Sequence, residues 1–185
     1  MNFWEIYDAY YRPVKSFIAG MLGDTWAAED LTQETFIKVQ ENLDSLLDET
    51  KLRPWIYRIA RNNCLDYFRS RSRRDDSHDD IEQLQVSIQP MAEASLERHQ
   101  MSECVQDKVY LLPETHRDIL ILAEVEDLSQ QEVADILEIS VSNVRVRLHR
   151  ARQALKEILK RDCFFDYDSR GVMVCVPKDM PGESC

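Results

Sequence analysis

The sequence is short of the residues that make turns and of any long apolar run. Four glycines and six prolines in 185 residues are too few for a turn-dense β-sandwich or a Rossmann-type fold. No stretch approaches the roughly 20 consecutive apolar residues of a membrane span, so membrane insertion is not expected. The segment Met1-Asn2-Phe3-Trp4-Glu5-Ile6-Tyr7-Asp8 carries acids where a secretion signal needs lysine or arginine ahead of an apolar core. A cytoplasmic location is expected. Neither Cys-x-x-Cys nor His-x-x-x-His occurs, and the chain has no phosphate-binding glycine loop and no nucleophile–base motif. A metal- or thiol-dependent enzyme therefore ranks last among the readings, and no catalytic residue is assigned.

What is present is charge, and its arrangement matters more than its sum. Hydrophobic residues make up 44% and charged residues 31% of the chain, with a formal net charge of −11, as in a soluble, helix-rich protein. The total argues against a polyanionic partner, but its distribution points the other way. Residues 51–74 hold eight Lys/Arg and one acid, and residues 140–161 hold seven Lys/Arg and one acid. A polyanion responds to local potential within about 10 Å at moderate salt, so two basic stripes can bind nucleic acid on an acidic protein. The acidic remainder would disfavour indiscriminate binding or face a basic protein partner.

Apolar periodicity gives an all-α reading. Phe3, Ile6, Tyr7, Tyr10, Val14, Phe17, Ile18 and Met21 follow an amphipathic helix, in which Pro13 predicts a kink or a break. Gly23-Asp24-Thr25 reads as a turn with Asp24 or Thr25 capping a helix over about 26–47. Ala28, Leu31, Val39, Leu43 and Leu46 form its inner face. A third helix is expected from about Pro54 to Arg71. Residues 75–107 carry nine acids and one arginine, and 75–94 read as a flexible acidic linker. Helical pattern resumes near Ser95, with a helix from Pro113 to about Asp127. Ser129-Gln-Gln-Glu132 is a capping box opening a short helix to Leu137, and Ser140 caps a final helix to about Lys160. Beyond it, β-prone runs flank Asp168-Ser-Arg-Gly171 and predict a β-hairpin, the only strand candidate. The expected units are residues 1–74, the linker 75–94, residues 95–161 and a cysteine-containing tail, 162–185.

Ser129–Arg152 has the layout of a helix-turn-helix: a capped short helix, a tight turn, and a second helix that opens on small polar residues. In that second helix Val144, Leu148, Ala151 and Leu155 fall on one inward face. This leaves Ser142, Asn143, Arg145, Val146, Arg147 and Arg150 outward or flanking. Asn and Arg can bond base edges bidentately, and Ser and Arg can anchor phosphates. A solvated basic face is the plain alternative; the coincidence of box, turn and arginine run favours DNA. The other stripe, Arg53-Pro-Trp-Ile-Tyr-Arg-Ile-Ala-Arg-Asn-Asn-Cys-Leu-Asp-Tyr-Phe-Arg69, mixes aromatics, arginines and amides as a grip on unpaired bases requires. Trp55, Ile56, Ile59 and Ala60 have core spacing, which leaves Arg58, Arg61, Asn62 and Asn63 as the contact candidates.

Together these segments resemble the extracytoplasmic-function sigma factors of the sigma-70 family, with a region 2 domain, a linker and a region 4 domain. The blocks are Ala28-Glu-Asp-Leu-Thr-Gln-Glu-Thr-Phe36, Trp55-Ile-Tyr-Arg-Ile-Ala-Arg-Asn62 followed by Asp66, Leu112-Pro-Glu114, Glu124–Ala134 and Arg147-Leu-His-Arg-Ala-Arg152. The resemblance implies two helical domains and a factor that binds core RNA polymerase (β′ clamp and β flap) and promoter DNA. It implies that Asp30, Gln33 and Glu34 dock on the polymerase, and that Arg58, Arg61, Asn62, Asn63 and Asp66 contact or frame the −10 element. It also implies that Ser142, Asn143, Arg145, Arg147 and Arg150 contact the −35 element, and it makes an anti-sigma factor a partner to consider. Two departures stand out. Glu138 occupies a turn position where the family usually has a glycine, because the backbone there favours a left-handed conformation. The loop Asp48-Glu-Thr-Lys-Leu-Arg53 lacks the glycine and phenylalanine common in relatives.

A stand-alone helix-turn-helix regulator remains the second reading; it would bind duplex DNA tightly without polymerase. The tail is looser evidence. Its cysteine–aromatic–acidic run resembles the SigZ-like subgroup, and five cysteines in a chain expected to be cytoplasmic read as reduced thiols. Cys163, Cys175 and Cys185 are separated by eleven and nine residues, which is no zinc-ribbon spacing. Two readings stay open: a metal or thiol switch on these three, joined by His149 or His99, or a packed hairpin whose cysteines are incidental. No cofactor is otherwise expected.

Overall fold

The computed structural model describes the backbone of residues 2–75, 105, 108–167 and 173–177, with side chains described in 2–71, 105 and 108–164. Most of the expected linker, the resumption of helix near Ser95, the hairpin turn, His99 and Cys185 lie outside the described residues.

Helix α1 (Phe3–Leu22) starts where Asn2 accepts from the Trp4 N–H and Glu5 accepts from the Asn2 N–H, a reciprocal cap. It ends on Gly23 at φ 70, the left-handed stop that glycine adopts without strain. The helix is unbroken through Pro13. The expected break is absent because Ile6, Val14, Phe17, Ile18 and Met21, on both sides of the proline, are all fully buried on one face. That burial offsets the hydrogen bond Pro13 cannot make. Helix α2 (Thr25–Asn42) is capped by Asp24, which accepts from the N–H groups of Trp26 and Ala27. It stops short of the expected Leu47 and passes into a 3-10 turn at Leu43–Ser45; Leu47 is 97% exposed and supplies no apolar anchor to prolong it. Helix α3 (Leu52–Asp75) begins two residues ahead of Pro54, which the first helical turn tolerates. The three helices pack as a bundle around Phe17, Ile18, Phe36, Ile56 and Tyr57.

Helix α4 (Glu114–Leu120) is followed directly by a π-helical turn at Ile121–Val125, where the Glu126 N–H reaches the Ile121 carbonyl five residues back. Asp127 then turns the chain at φ 49. Sequence pattern predicts one regular helix here; the widened turn carries no periodicity signature of its own. Helix α5 (Gln130–Leu137) opens on the expected box, with Ser129 accepting from the Glu132 N–H and Glu132 from the Ser129 N–H. Its stop is Glu138 at φ 55, ψ 44, with the Glu138 N–H bonded to the Ala134 carbonyl. Helix α6 (Val141–Asp162) is capped by Ser140. Strands β1 (Cys163–Tyr167) and β2 (Met173–Pro177) pair antiparallel, the hairpin that the sequence predicts.

The left-handed site at Glu138 gives a stability prediction. A non-glycine residue there carries about 1–2 kcal/mol of backbone strain, and the glutamate is an exposed side chain. Glu138→Gly is therefore expected to raise the unfolding free energy by about 1 kcal/mol, after the loss of chain entropy on adding a glycine is subtracted. Urea denaturation followed by circular dichroism reads it; an unchanged or lower midpoint counts against strain at this turn.

The two halves pack on each other. α3 lies against α5, and α1 lies against the π-turn. Gly20 of α1 is so close to the turn that a Cβ placed on it would sit 3.4 Å from Ile121 Cδ1. Tyr110 covers Gly23 and donates to the Ala19 carbonyl at 3.0 Å. The Arg117 guanidinium donates to the carbonyls of Met21, Tyr110 and Leu112 at 2.8–3.2 Å, tying the C-terminal turn of α1 to region 4.

Candidate nucleic-acid interface

Helix α6 is built to hold one face in the core and leave the other in water. Val144, Leu148 and Ala151 are buried at 0–4% exposure, and Leu155 packs partly against the same cluster. The inward face is the one the sequence predicts. Ser142, Asn143, Arg145, Arg147 and Arg150 are all exposed. Arg145 donates from Nε to Gln130 Oε1 at 2.9 Å, which fixes its stem beside the start of α5. Arg152 is turned to the other flank, where it pairs with Glu124. The geometry is a short supporting helix, a left-handed turn and a long helix with a free cationic edge, as entry into a major groove requires.

The stripe on α3 is arranged differently from the expectation. Asn62 and Asp66 are exposed, with Asp66 held to Arg69 at 2.9 Å. Arg58 and Arg61 point at region 4: Arg58 pairs with Glu138 at 3.1 Å and Arg61 with Asp118 at 2.8 Å. Asn63 needs a correction. It is 3% exposed, accepts from Lys38 Nζ at 2.5 Å and donates to Thr35 Oγ1 at 2.9 Å. Both ends of its amide are used inside the bundle, so in this arrangement it links α2 to α3 and offers nothing to a base. The sequence hid this because its partners lie 25 and 28 residues away. Trp55 packs partly against the core, as its spacing predicts.

On α2, Asp30, Gln33 and Glu34 lie on the exposed face. Glu34 pairs with Lys38 at 2.7 Å, and Lys38 in turn holds Asn63, so the acidic face connects through one lysine to α3. Glu29, just beside them, is turned inward to Lys15 and Tyr11; its carboxylate holds the Tyr11 phenol up at about 12. Exposure separates the outward acids from this inward one.

The seam between the halves holds side chains that sequence reasoning missed. The Tyr57 hydroxyl donates to Glu126 Oε2 at 2.6 Å, and Arg53 donates to the Glu126 carbonyl at 2.6 Å. Burial, then the hydrogen bond to Glu126, pushes the Tyr57 phenol up. Burial also raises the Glu126 carboxyl, against the opposing pull of Tyr57 and Arg53. Burial of the Arg117 guanidinium lowers its pKa. Lys51, just ahead of α3, reaches Asp135 of α5 at 2.5 Å.

For a thiol switch, Cys163 is buried at the start of β1. The register sets Cys175 opposite Phe165, two positions from the partner of Cys163, on the same face of the hairpin. Among the described residues no group of three His, Cys, Asp or Glu side chains is placed to hold a metal ion. Cys64 is fully buried in the bundle, and burial pushes its thiol up to about 12, so it supplies no reactive thiolate. Among the described residues no helix is long and apolar enough to cross a membrane.

Comparison with known proteins agrees with this layout. The family model for sigma-70 region 2 matches residues 6–74, and that for sigma-70 region 4 matches residues 102–155. The chain is 32% identical over 174 residues to the RNA polymerase sigma factor SigZ of Bacillus subtilis, spanning 94% of this chain and 96% of that protein. It is 33% identical to the ECF RNA polymerase sigma factor SigW of the same organism, over 85% of this chain and 89% of that one. Among solved structures, the sigma factor RpoE from Bartonella quintana, in complex with the anti-sigma factor NepR, superposes with a TM-score of 0.74. It has 25% identity and covers 85% of this chain and 96% of that one. CnrH, in complex with the cytosolic domain of CnrY, shares the fold at a TM-score of 0.65 and 22% identity, over 86% of this chain and 88% of that one. With both family blocks in order and relatives above 30% identity over most of their length, the chain belongs to the extracytoplasmic-function sigma factors of the sigma-70 family.

Proposed function

We propose that this chain binds core RNA polymerase and directs it to promoters carrying a −35 and a −10 element. In this reading it has no catalysis of its own. The observation that carries the reading is the exposed cationic edge of α6, set on a capped helix-turn-helix within the region 4 match. Ser142, Asn143, Arg145, Arg147 and Arg150 would contact the −35 duplex, with the arginines supplying phosphate anchoring and guanine readout. Arg58, Arg61, Asn62 and Asp66 on α3 would contact or frame −10 bases once the duplex opens. Asp30, Gln33 and Glu34 on the solvent face of α2 would dock on the polymerase, the β′ clamp being the proposed contact and the β flap that of region 4. We assign residues 1–74 to the first domain, 75–94 to a linker, 95–161 to the second domain and 162–185 to the tail. Lacking a span, the chain would work in the cytoplasm. An anti-sigma protein, of the kind seen with the Bartonella quintana relative, is a proposed partner.

The docking assignment makes its own prediction. Glu34→Ala, at an exposed position, is expected to weaken binding to core RNA polymerase by about five- to tenfold, the scale of one lost interface charge of roughly 1 kcal/mol or slightly more. The thermal midpoint should stay the same. Titration of labelled chain with core enzyme reads it; equal affinity for variant and parent would remove Glu34 from the docking face.

A further inference from the structure

The seam is an electrostatic match between the cationic stripe of α3 and an acidic face of region 4. Along it Lys51 meets Asp135, Arg53 meets Glu132 and the Glu126 carbonyl, Tyr57 meets the Glu126 carboxylate, Arg58 meets Glu138 and Arg61 meets Asp118. The spacing is ordered. Asp118 and Glu126 lie on and just after α4, Glu132 and Asp135 on α5, and Glu138 at its end. Arg58 and Arg61 are two of the residues assigned to −10 DNA, while Arg147 and Arg150 on α6 face solvent. Asp118 is the deepest member: its side chain is 3% exposed, and its Oδ1 has no hydrogen-bond partner.

We infer that region 4 serves as an intramolecular mimic of a DNA strand, its carboxylates standing where phosphates would and masking α3 until the domains part. The inference rests on the assignment of α3 to DNA. A carboxylate row at these spacings competes with a polyanion for the same guanidinium groups. A closed chain therefore binds single strands only in proportion to its open fraction. The −35 reader remains available throughout, so the closed form disables strand capture selectively. Glu138 takes part through a departure from the family pattern: a glycine at that turn would leave Arg58 without its partner. The apolar contact of Gly20 with Ile121 closes the other end of the seam.

Two full-length variants test this by different routes. Asp118→Asn, Glu132→Gln, Asp135→Asn and Glu138→Gln in one chain remove the carboxylate charges and keep their shapes. Gly20→Gln wedges the seam at Ile121 without changing charge, in a helix that favours glutamine over glycine. Small-angle scattering at low salt reads closure, and anisotropy of a labelled twenty-nucleotide oligodeoxythymidine reads access to α3. Both variants are expected to expand, with a radius of gyration larger by about 3 Å or more, taking compact-chain scaling as the closed reference. Both should bind the oligonucleotide about tenfold more tightly, with helical content retained. An unchanged radius in both variants overturns the latch. Tighter binding by the acid variant alone marks a long-range charge effect and also overturns it. Expansion of both without any gain in binding refutes the assignment of α3 to DNA, and the masking role with it, while leaving the domain contact standing.

Discussion

Replacing Arg145, Arg147 and Arg150 together by alanine is expected to lower holoenzyme affinity for a duplex promoter fragment by about a thousandfold. Each arginine that bonds a base edge or phosphate contributes about 1–3 kcal/mol, and all three lie on the exposed edge of one helix. The same variant should flatten the salt dependence. Each lost phosphate contact removes about 0.9 from the slope of log affinity against log salt, so a fall of about 2 to 3 is expected. Folding should be unaffected, because alanine is at least as good a helix former as arginine and none of the three side chains is buried. Nitrocellulose filter binding at several salt concentrations reads both quantities. If affinity and slope stay the same, α6 is not the duplex-binding helix.

Phe36→Ala is expected to destabilise the first domain by about 3–5 kcal/mol. The ring is 2% exposed and sits edge-on to Tyr7 at 5.1 Å and tilted to Tyr11 at 5.8 Å. Removal forfeits its burial and two aromatic contacts, and it leaves a hole between α1 and α2 that helix caps cannot close. Domains of this size have only about 5–15 kcal/mol in hand, so polymerase binding should fall with the loss of folded α2. The neighbouring Ile37, 56% exposed, is the contrast: Ile37→Ala should change stability by about 0.5 kcal/mol or less. Urea unfolding of both variants reads the difference; equal midpoints would mean that Phe36 does not carry the bundle.

Much of this architecture is legible in the sequence because its determinants are local. The Ser129–Glu132 box, the Ser140 cap and the Val144, Leu148, Ala151 face depend on neighbours within a few turns, and all are found where pattern puts them. The unusual backbone at Glu138 is legible for the same reason, since a family glycine marks a conformation and not a side chain. What pattern misses is decided at long range. Arg61 and Asp118 are 57 residues apart, and Asn63 and Lys38 are 25 apart. An arginine or amide on a basic helix is therefore read as solvent-facing when its partner is elsewhere in the fold. The π-turn at Ile121–Val125 belongs to the same class: its extra residue per turn is set by packing against Gly20, and composition carries no trace of it. Pro13 shows the converse, a local signal for a break overridden by burial on both sides of it.

The docking face and the masked stripe are also connected. Glu34 holds Lys38, Lys38 holds Asn63, and Asn63 sits on α3 two residues from Arg61. A polymerase surface that engages Glu34 would thus act on the helix whose arginines region 4 holds. This continuity gives the proposed docking a physical route to the opening of the seam.

The most direct test of the proposed function is transcription in vitro on sheared genomic DNA with core RNA polymerase from the source organism, with and without this chain, followed by sequencing of transcript 5′ ends. A factor that directs initiation should give discrete start sites that appear only when the chain is added and share two short upstream motifs at fixed separation. A start-site profile identical to that of core enzyme alone would contradict it.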